Sequence, residues 1–439
     1  MTTFADLGLP PAIVQAMRKE GIETPFPIQE AAIPDALAGK DILGRGPTGS
    51  GKTFTFGLPT LSRLAQSGAS TPGHPRALVL VPTRELAAQV RTRLDDPAAA
   101  LGLRLLDVVG GVNINRHIRA LAAPVDLLVA TPGRAQDLID QGYLHLDRIE
   151  TTILDEADQM ADMGFLPQVT KLMRATPQKG QRLLFSATLD GDVDKLVRAF
   201  LRNPVTHSTA AVAASVDTMR HYQFIVKDRQ SRADVVEKIA ARDGKTIMFM
   251  RTKHGVDRQV KKLRRAGINA VGLHGDKGQN TRQSALGGFS EGEIPVLVAT
   301  DIAARGIDIS DVDLVVHIDP PAEHKAYLHR AGRTARAGAS GAVVTLVTEE
   351  QIDEVKKLLS KAGVSAKTHR VNAHSVELAT ITGAQSPTYK PLAPFGQQAQ
   401  ASDGRGRGSR TKRSSASGGG NTRRARGSRH SQSRNRGTR

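Results

Sequence analysis

Two short runs of residues carry groups suited to phosphate chemistry. Gly46-Pro47-Thr48-Gly49-Ser50-Gly51-Lys52-Thr53 has the spacing of a phosphate-binding loop. In such a loop Thr48, Gly49, Ser50 and Gly51 let backbone N–H groups converge on phosphate oxygens. Lys52 neutralises charge on the terminal phosphates, and the Thr53 hydroxyl is placed to ligate Mg²⁺. The second run, Asp155-Glu156-Ala157-Asp158, closes an apolar segment. Asp155 is suited to hold Mg²⁺, and Glu156 to orient and deprotonate an attacking water. An acidic cluster that merely caps a helix would look the same in isolation. The phosphate loop upstream favours the catalytic reading.

These residues need a scaffold that presents loops at one edge. Apolar runs at 41–46, 77–83, 103–109, 126–131, 151–158 and 182–188 read as strands with helical spacing between them. Being apolar on both faces, they predict a parallel sheet covered by helices on both sides, and such a sheet presents functional groups where its strands end. A second series, at 221–226, 245–250, 270–275, 295–300, 313–319 and 342–348, repeats the pattern. The chain therefore reads as two α/β domains, 1–207 and 218–366, joined by a linker at 208–217. A polar linker at 367–400 and a tail at 401–439 follow.

The 61 Lys and Arg outnumber the 43 Asp and Glu, giving a net charge of +18, which points to a polyanionic partner. The tail holds 11 Arg and Lys412 against Asp403 alone, in a Gly/Ser matrix. It is too poor in apolar residues to fold, so a disordered segment that tethers a nucleic acid is expected. The absence of cysteine excludes disulfides, thiolate zinc sites, iron–sulfur clusters and a cysteine nucleophile. No apolar run is long enough to span a bilayer and no secretory signal opens the chain, so a cytoplasmic location without membrane contact is expected.

Asp155-Glu156-Ala157-Asp158 is the signature of the DEAD-box ATP-dependent RNA helicases, and the chain resembles that family from about residue 4 to residue 350. The family's other motifs occur in order: Pro82-Thr83-Arg84-Glu85-Leu86-Ala87-Ala88-Gln89, Gly110-Gly111, Thr131-Pro132-Gly133-Arg134 and Ser186-Ala187-Thr188. In the second half come 249–252, Gln279 with Arg282, 300–308 and 329–336. The resemblance implies two tandem RecA-like domains that bind ATP and Mg²⁺. Gln29 matches the adenine-reading glutamine, Phe4 an upstream aromatic, and Asp308 a ribose contact. Arg333 and Arg336 match two arginine fingers. Arg84, Gly111, Thr131, Arg134, Arg282 and Thr300 match RNA-backbone contacts, while Ser186, Thr188 and His329 match residues that couple nucleotide to RNA. The compact layout resembles bacterial members.

Four positions depart from the family pattern. Ile22 stands where an aromatic is usual, Phe26 replaces a hydroxyl residue, Pro47 a polar residue and Ala335 a glycine. If position 335 requires φ > 0, alanine there is strained. The expected activity is local RNA duplex unwinding or RNA–protein remodelling. An ATP-gated RNA clamp, an annealing chaperone and a DNA translocase on the same core remain open alternatives. Ribosome assembly, messenger decay and cold adaptation are equally open as settings.

Overall fold

A computed structural model describes residues 2–46, 49–189, 191–208, 219–304, 312–335 and 341–395. Among them, two seven-stranded parallel sheets carry the fold. In the first, β1 (Ile42–Arg45), β2 (Ala77–Leu80), β3 (Leu105–Val108), β4 (Leu127–Ala130), β5 (Thr151–Leu154), β6 (Gln181–Ser186) and β7 (Val205–Ser208) lie in the order β3-β4-β2-β5-β6-β1-β7. The second contains β8 (Met219–Val226), β9 (Thr246–Phe249), β10 (Ala270–Leu273), β11 (Val296–Ala299), β12 (Leu314–His317), β13 (Gly341–Thr348) and β14 (Lys367–Arg370). Its order is β10-β11-β9-β12-β13-β8-β14.

Side chains alternate across each strand, so both faces of both sheets are cores. In the first sheet Ile42, Val79, Val129, Ile153 and Phe185 enter one cluster, while Leu43, Leu78, Leu80, Leu128, Leu154 and Leu184 enter the other. The second sheet divides likewise: Ile247, Phe249, Val271, Leu297 and Val315 on one face, Met248, Ala270, Val296, Val316 and Val344 on the other. This double burial explains why the central strands read as unbroken apolar runs.

Two strands escaped that reading. β7 closes the expected first domain, with only Ser208 in the expected linker, and β14 lies in the expected polar linker 367–400. Both are edge strands, β7 beside β1 and β14 beside β8, and both are partly exposed, so neither needs an apolar run. The second domain does not stop at 366. After β14 the helix Val376–Thr382 buries Leu378. The chain is then pinned to the helix Lys253–Arg265: Arg264 Nε donates to the Ala393 carbonyl at 2.6 Å, and the Leu392 and Tyr389 N–H groups donate to the Arg264 and Ala266 carbonyls, each at 2.9 Å. Residues 209–218, which take in most of the expected linker, and 396–439, including the basic tail, lie outside the described residues. No described helix is long and apolar enough to cross a membrane.

Candidate active site

Every motif of the first half lies where a parallel strand ends. The phosphate loop follows β1, Ser186 ends β6 with Thr188 two residues on, and Asp155 follows β5; these three strands are adjacent. Arg84 lies beyond β2, Gly111 beyond β3, and Thr131 directly after β4; these three are also adjacent. The strand order thus sorts phosphate chemistry and polymer contacts onto the two halves of one sheet edge.

Gly51 adopts φ 90° and precedes the helix Lys52–Leu64. A Cβ there would lie 2.6 Å from Gln29 Nε2 and 2.7 Å from the Phe26 ring, so the glycine is what lets the loop close on these two residues. Gln29 is buried. Its Nε2 donates to the Gly51 carbonyl at 3.0 Å, and its Oε1 accepts from the Phe26 N–H at 2.8 Å. The Phe26 side chain itself is 49% exposed. Ile22 packs against the core, and Phe4, expected at the nucleotide, is 1% exposed within that core. Phe4 therefore serves packing here and offers no open ring face. Thr48 lies outside the described residues.

Lys52 Nζ sits 2.8 Å from Glu156 Oε1, 4.0 Å from Asp155 Oδ1 and 3.1 Å from the Gly46 carbonyl it donates to. Burial works against the ammonium, but the two carboxylates outweigh it and raise its pKa. Burial likewise opposes ionisation of Glu156, and Lys52 reverses this, holding Glu156 below the usual carboxylate range. Asp155 lacks so close a cation, and burial pushes it up to about 7. Glu156 has φ 54°, a left-handed conformation disfavoured for a residue with a Cβ.

Asp158 reaches toward the second half. Its Oδ2 accepts from the Thr188 N–H at 2.9 Å and hydroxyl at 3.0 Å, and stands 3.7 Å from His329 Nε2. Ser186 Oγ donates to the Thr188 carbonyl at 2.6 Å. Burial would raise the Asp158 pKa, but His329, Lys52 and Thr188 together depress it strongly. Arg333, one turn past His329, is buried and donates from Nε to the His329 carbonyl at 3.3 Å. Ala335 has φ 55°, so the position does demand the left-handed region that alanine resists. Arg336 and Asp308 lie outside the described residues.

On the other half of the edge, Arg84 Nη1 donates to the Gly110 carbonyl at 3.4 Å. A Cβ on Gly111 (φ 75°) would meet that guanidinium at 2.0 Å, so any side chain there would push the Arg84 head group aside. Thr131 Oγ1 accepts from the Gly110 N–H at 3.4 Å. Arg134 donates to His117 Nδ1 at 2.8 Å and to the Val112 carbonyl at 2.9 Å. Thr300, partly exposed, follows β11. Arg282, expected at RNA, is instead buried: its Nε donates to Glu85 Oε1 at 2.8 Å and its Nη1 to the His274 carbonyl at 3.1 Å. In this arrangement it joins the two halves rather than facing solvent. Glu85 and His117 were not anticipated at the site. Glu85, in the first turn of the helix Arg84–Ala99, reads from sequence as a charge favourable to the helix dipole, and no local signal links it to a residue 197 positions away.

A phosphate loop, a buried Lys–Glu–Asp group and an arginine from a second parallel sheet define a tandem RecA-like nucleotide hydrolase. Residues 26–196 match the DEAD/DEAH box helicase model and residues 231–338 the helicase conserved C-terminal domain. The chain is 39% identical over 360 residues to the DEAD-box ATP-dependent RNA helicase CshA of Bacillus cereus, covering 82% of this chain and 68% of that protein. It is 38% identical to the CshA of Geobacillus kaustophilus, covering 81% and 75%. Its fold is similar to S. cerevisiae Dbp5 bound to RNA and ADP BeF3, with TM-score 0.75, 27% identity, and 87% and 98% of the two chains covered. The chain belongs to the DEAD-box family of ATP-dependent RNA helicases, enzymes that hydrolyse ATP.

Proposed function

We propose that this enzyme couples ATP binding and hydrolysis to local opening of short RNA duplexes or remodelling of RNA–protein complexes in the cytoplasm. The observation that carries the reading is the buried Lys52–Glu156 contact at 2.8 Å beneath the phosphate loop, with Asp158 and His329 bridging the halves beside it. An entering triphosphate competes for Lys52. Once Lys52 turns to phosphate oxygens, Glu156 loses the cation that holds its pKa down, and burial then makes it a stronger base for the proton of a water it orients. Arg333, with Arg336, would stabilise charge developing on the transferred phosphoryl group. The hard-oxygen donor set of Asp155 and Thr53 fits Mg²⁺, which needs few protein ligands. Such an ion would supply charge to the phosphates and to a carboxyl otherwise held near 7.

Arg84, the Gly110-Gly111 turn, Thr131 and Arg134 form a phosphate-binding surface of guanidinium, hydroxyl and backbone groups, with Thr300 contributed by the second half. Contacts of that kind position a strand without reading its bases. A cycle in which the joined halves grip RNA and separate after hydrolysis needs no long translocation. Steady-state ATPase without polymer, with single-stranded DNA and with RNA, run beside unwinding of a duplex of about ten base pairs, tests this. RNA-selective stimulation with strand release is expected. Equal stimulation by DNA would favour a DNA translocase, and stimulation without strand release a clamp.

A further inference from the structure

The helix Lys253–Arg265 presents a face that neither the fold nor the motifs use. Val256, Leu263 and Arg264 form its buried side, and Thr252 Oγ1 caps its start by accepting from the Gly255 N–H at 3.1 Å. Opposite the buried side, His254, Arg258, Lys261 and Arg265 recur at spacings of four, three and four residues, so they stack in a single exposed row. At about 1.5 Å per residue the row is roughly 16 Å long.

Local structure accounts for the other charges of this helix. Lys253 meets Asp276 at 2.6 Å and Lys262 meets Glu237 at 3.1 Å. Asp257, its one acid, lies 2.7 Å from Lys277 and 3.1 Å from His274. Arg264 turns inward to backbone carbonyls. Arg258, Lys261 and Arg265 have no carboxylate partner among the described residues. Like charges three and four residues apart repel and weaken a helix. The helix dipole favours Arg265 in the last turn but gives no reason for Arg258. The row also begins at the working end of the sheet: β9, which leads into this helix, neighbours β11, which leads into Thr300, and the Met250 N–H donates to the Ala299 carbonyl at 3.0 Å.

We propose that His254, Arg258, Lys261 and Arg265 form a second RNA-backbone site that holds phosphates of a strand running past Thr300. This rests on the RNA-remodelling reading above. Backbone phosphates require positive charge at a regular spacing, not a base pattern, and long side chains on an exposed helix reach them without burial. The basic C-terminal segment carries the same sign and is no candidate to cover the row.

The test uses the full chain, the variant R258Q/K261Q/R265Q, and a matched control, K356Q/K357Q/K361Q, on the exposed face of the helix Ile352–Lys361. RNA-stimulated ATPase and binding of a single strand of about 40 nucleotides are measured across a salt series. Loss of three phosphate contacts at about 0.7 each flattens the salt slope by about 2 and raises half-saturating RNA tenfold or more at about 50 mM salt. The control should match wild type. Equal shifts in both variants would reduce the effect to net charge, and no shift in the row variant would leave the row to another partner, such as an acidic protein; either result overturns the proposal. If RNA fails to stimulate even the wild-type enzyme, the functional reading itself falls, and the proposal with it.

Discussion

Replacing Glu85 by Gln removes the carboxylate that Arg282 meets at 2.8 Å, where both side chains are 5% exposed. Removing one partner of a buried ion pair typically costs about 3–5 kcal/mol, because the other charge is left uncompensated. The cost here falls lower. Arg282 keeps its bond to the His274 carbonyl at 3.1 Å and a long approach to the Ala303 carbonyl at 3.5 Å, and parting of the halves would let water reach it. We take about 2–3 kcal/mol, or roughly 30- to 150-fold. The loss falls on the joined arrangement, so it should appear in the ATP and RNA concentrations needed for half-maximal turnover, with little change in thermal stability. Arg282→Gln should behave alike, and the double variant should be little worse than either single one. A double-mutant cycle should give a coupling of about 2 kcal/mol, against about 0.2–1 for an exposed pair. If Arg282 instead grips an RNA phosphate, its loss flattens the salt slope by about 0.7 while Glu85→Gln does not. That difference, or a coupling below about 0.5 kcal/mol, would refute the inter-half assignment.

Further perturbations address the nucleotide and polymer sites. Glu156→Gln should retain ATP and RNA binding but turn over about 10²- to 10⁴-fold more slowly in single-turnover assays, while Lys52→Ala should lose turnover. Ala335→Gly should relieve a left-handed alanine costing about 1–2 kcal/mol, less about 0.5–1 for the freer unfolded glycine. A small rise in the denaturation midpoint is expected, and a fall would contradict the strain. Burial, with Arg134 beside it, lowers the His117 pKa to about 4. Because the unfolded chain binds that proton near pH 6.5, His117 should cost stability as pH falls from 6.5 toward 4. His117→Gln should flatten this part of the stability–pH profile, measured by chemical unfolding, and an unchanged profile would show that the histidine is not held neutral.

The phosphate and polymer residues of the first half were legible because each belongs to a short continuous run ending a buried strand. Even the strain at Ala335 could be framed in advance as a question about φ. What failed to show was whatever depends on contacts distant in sequence. Arg282 read as a phosphate ligand because its type allows it, and only the fold brings Glu85 to it. Phe4 matched a position but proved to be core. β7 and β14 were missed for a different reason: an edge strand is satisfied by one neighbour and one covered face, so its composition resembles a loop.

The strand β14 has a practical consequence for where this chain can be cut. The last family motif lies some thirty residues before it, so a truncation guided by motifs would stop near residue 366 and remove it. β8 would then lose its partner along Tyr222–Ile225 and become the rim of the sheet. Along that stretch Tyr222, Phe224 and Ile225 are buried, with no proline or charged residue to blunt them. A bare, greasy rim of that kind invites strand addition from another copy, so the shortened enzyme should be prone to self-association even with every catalytic group intact.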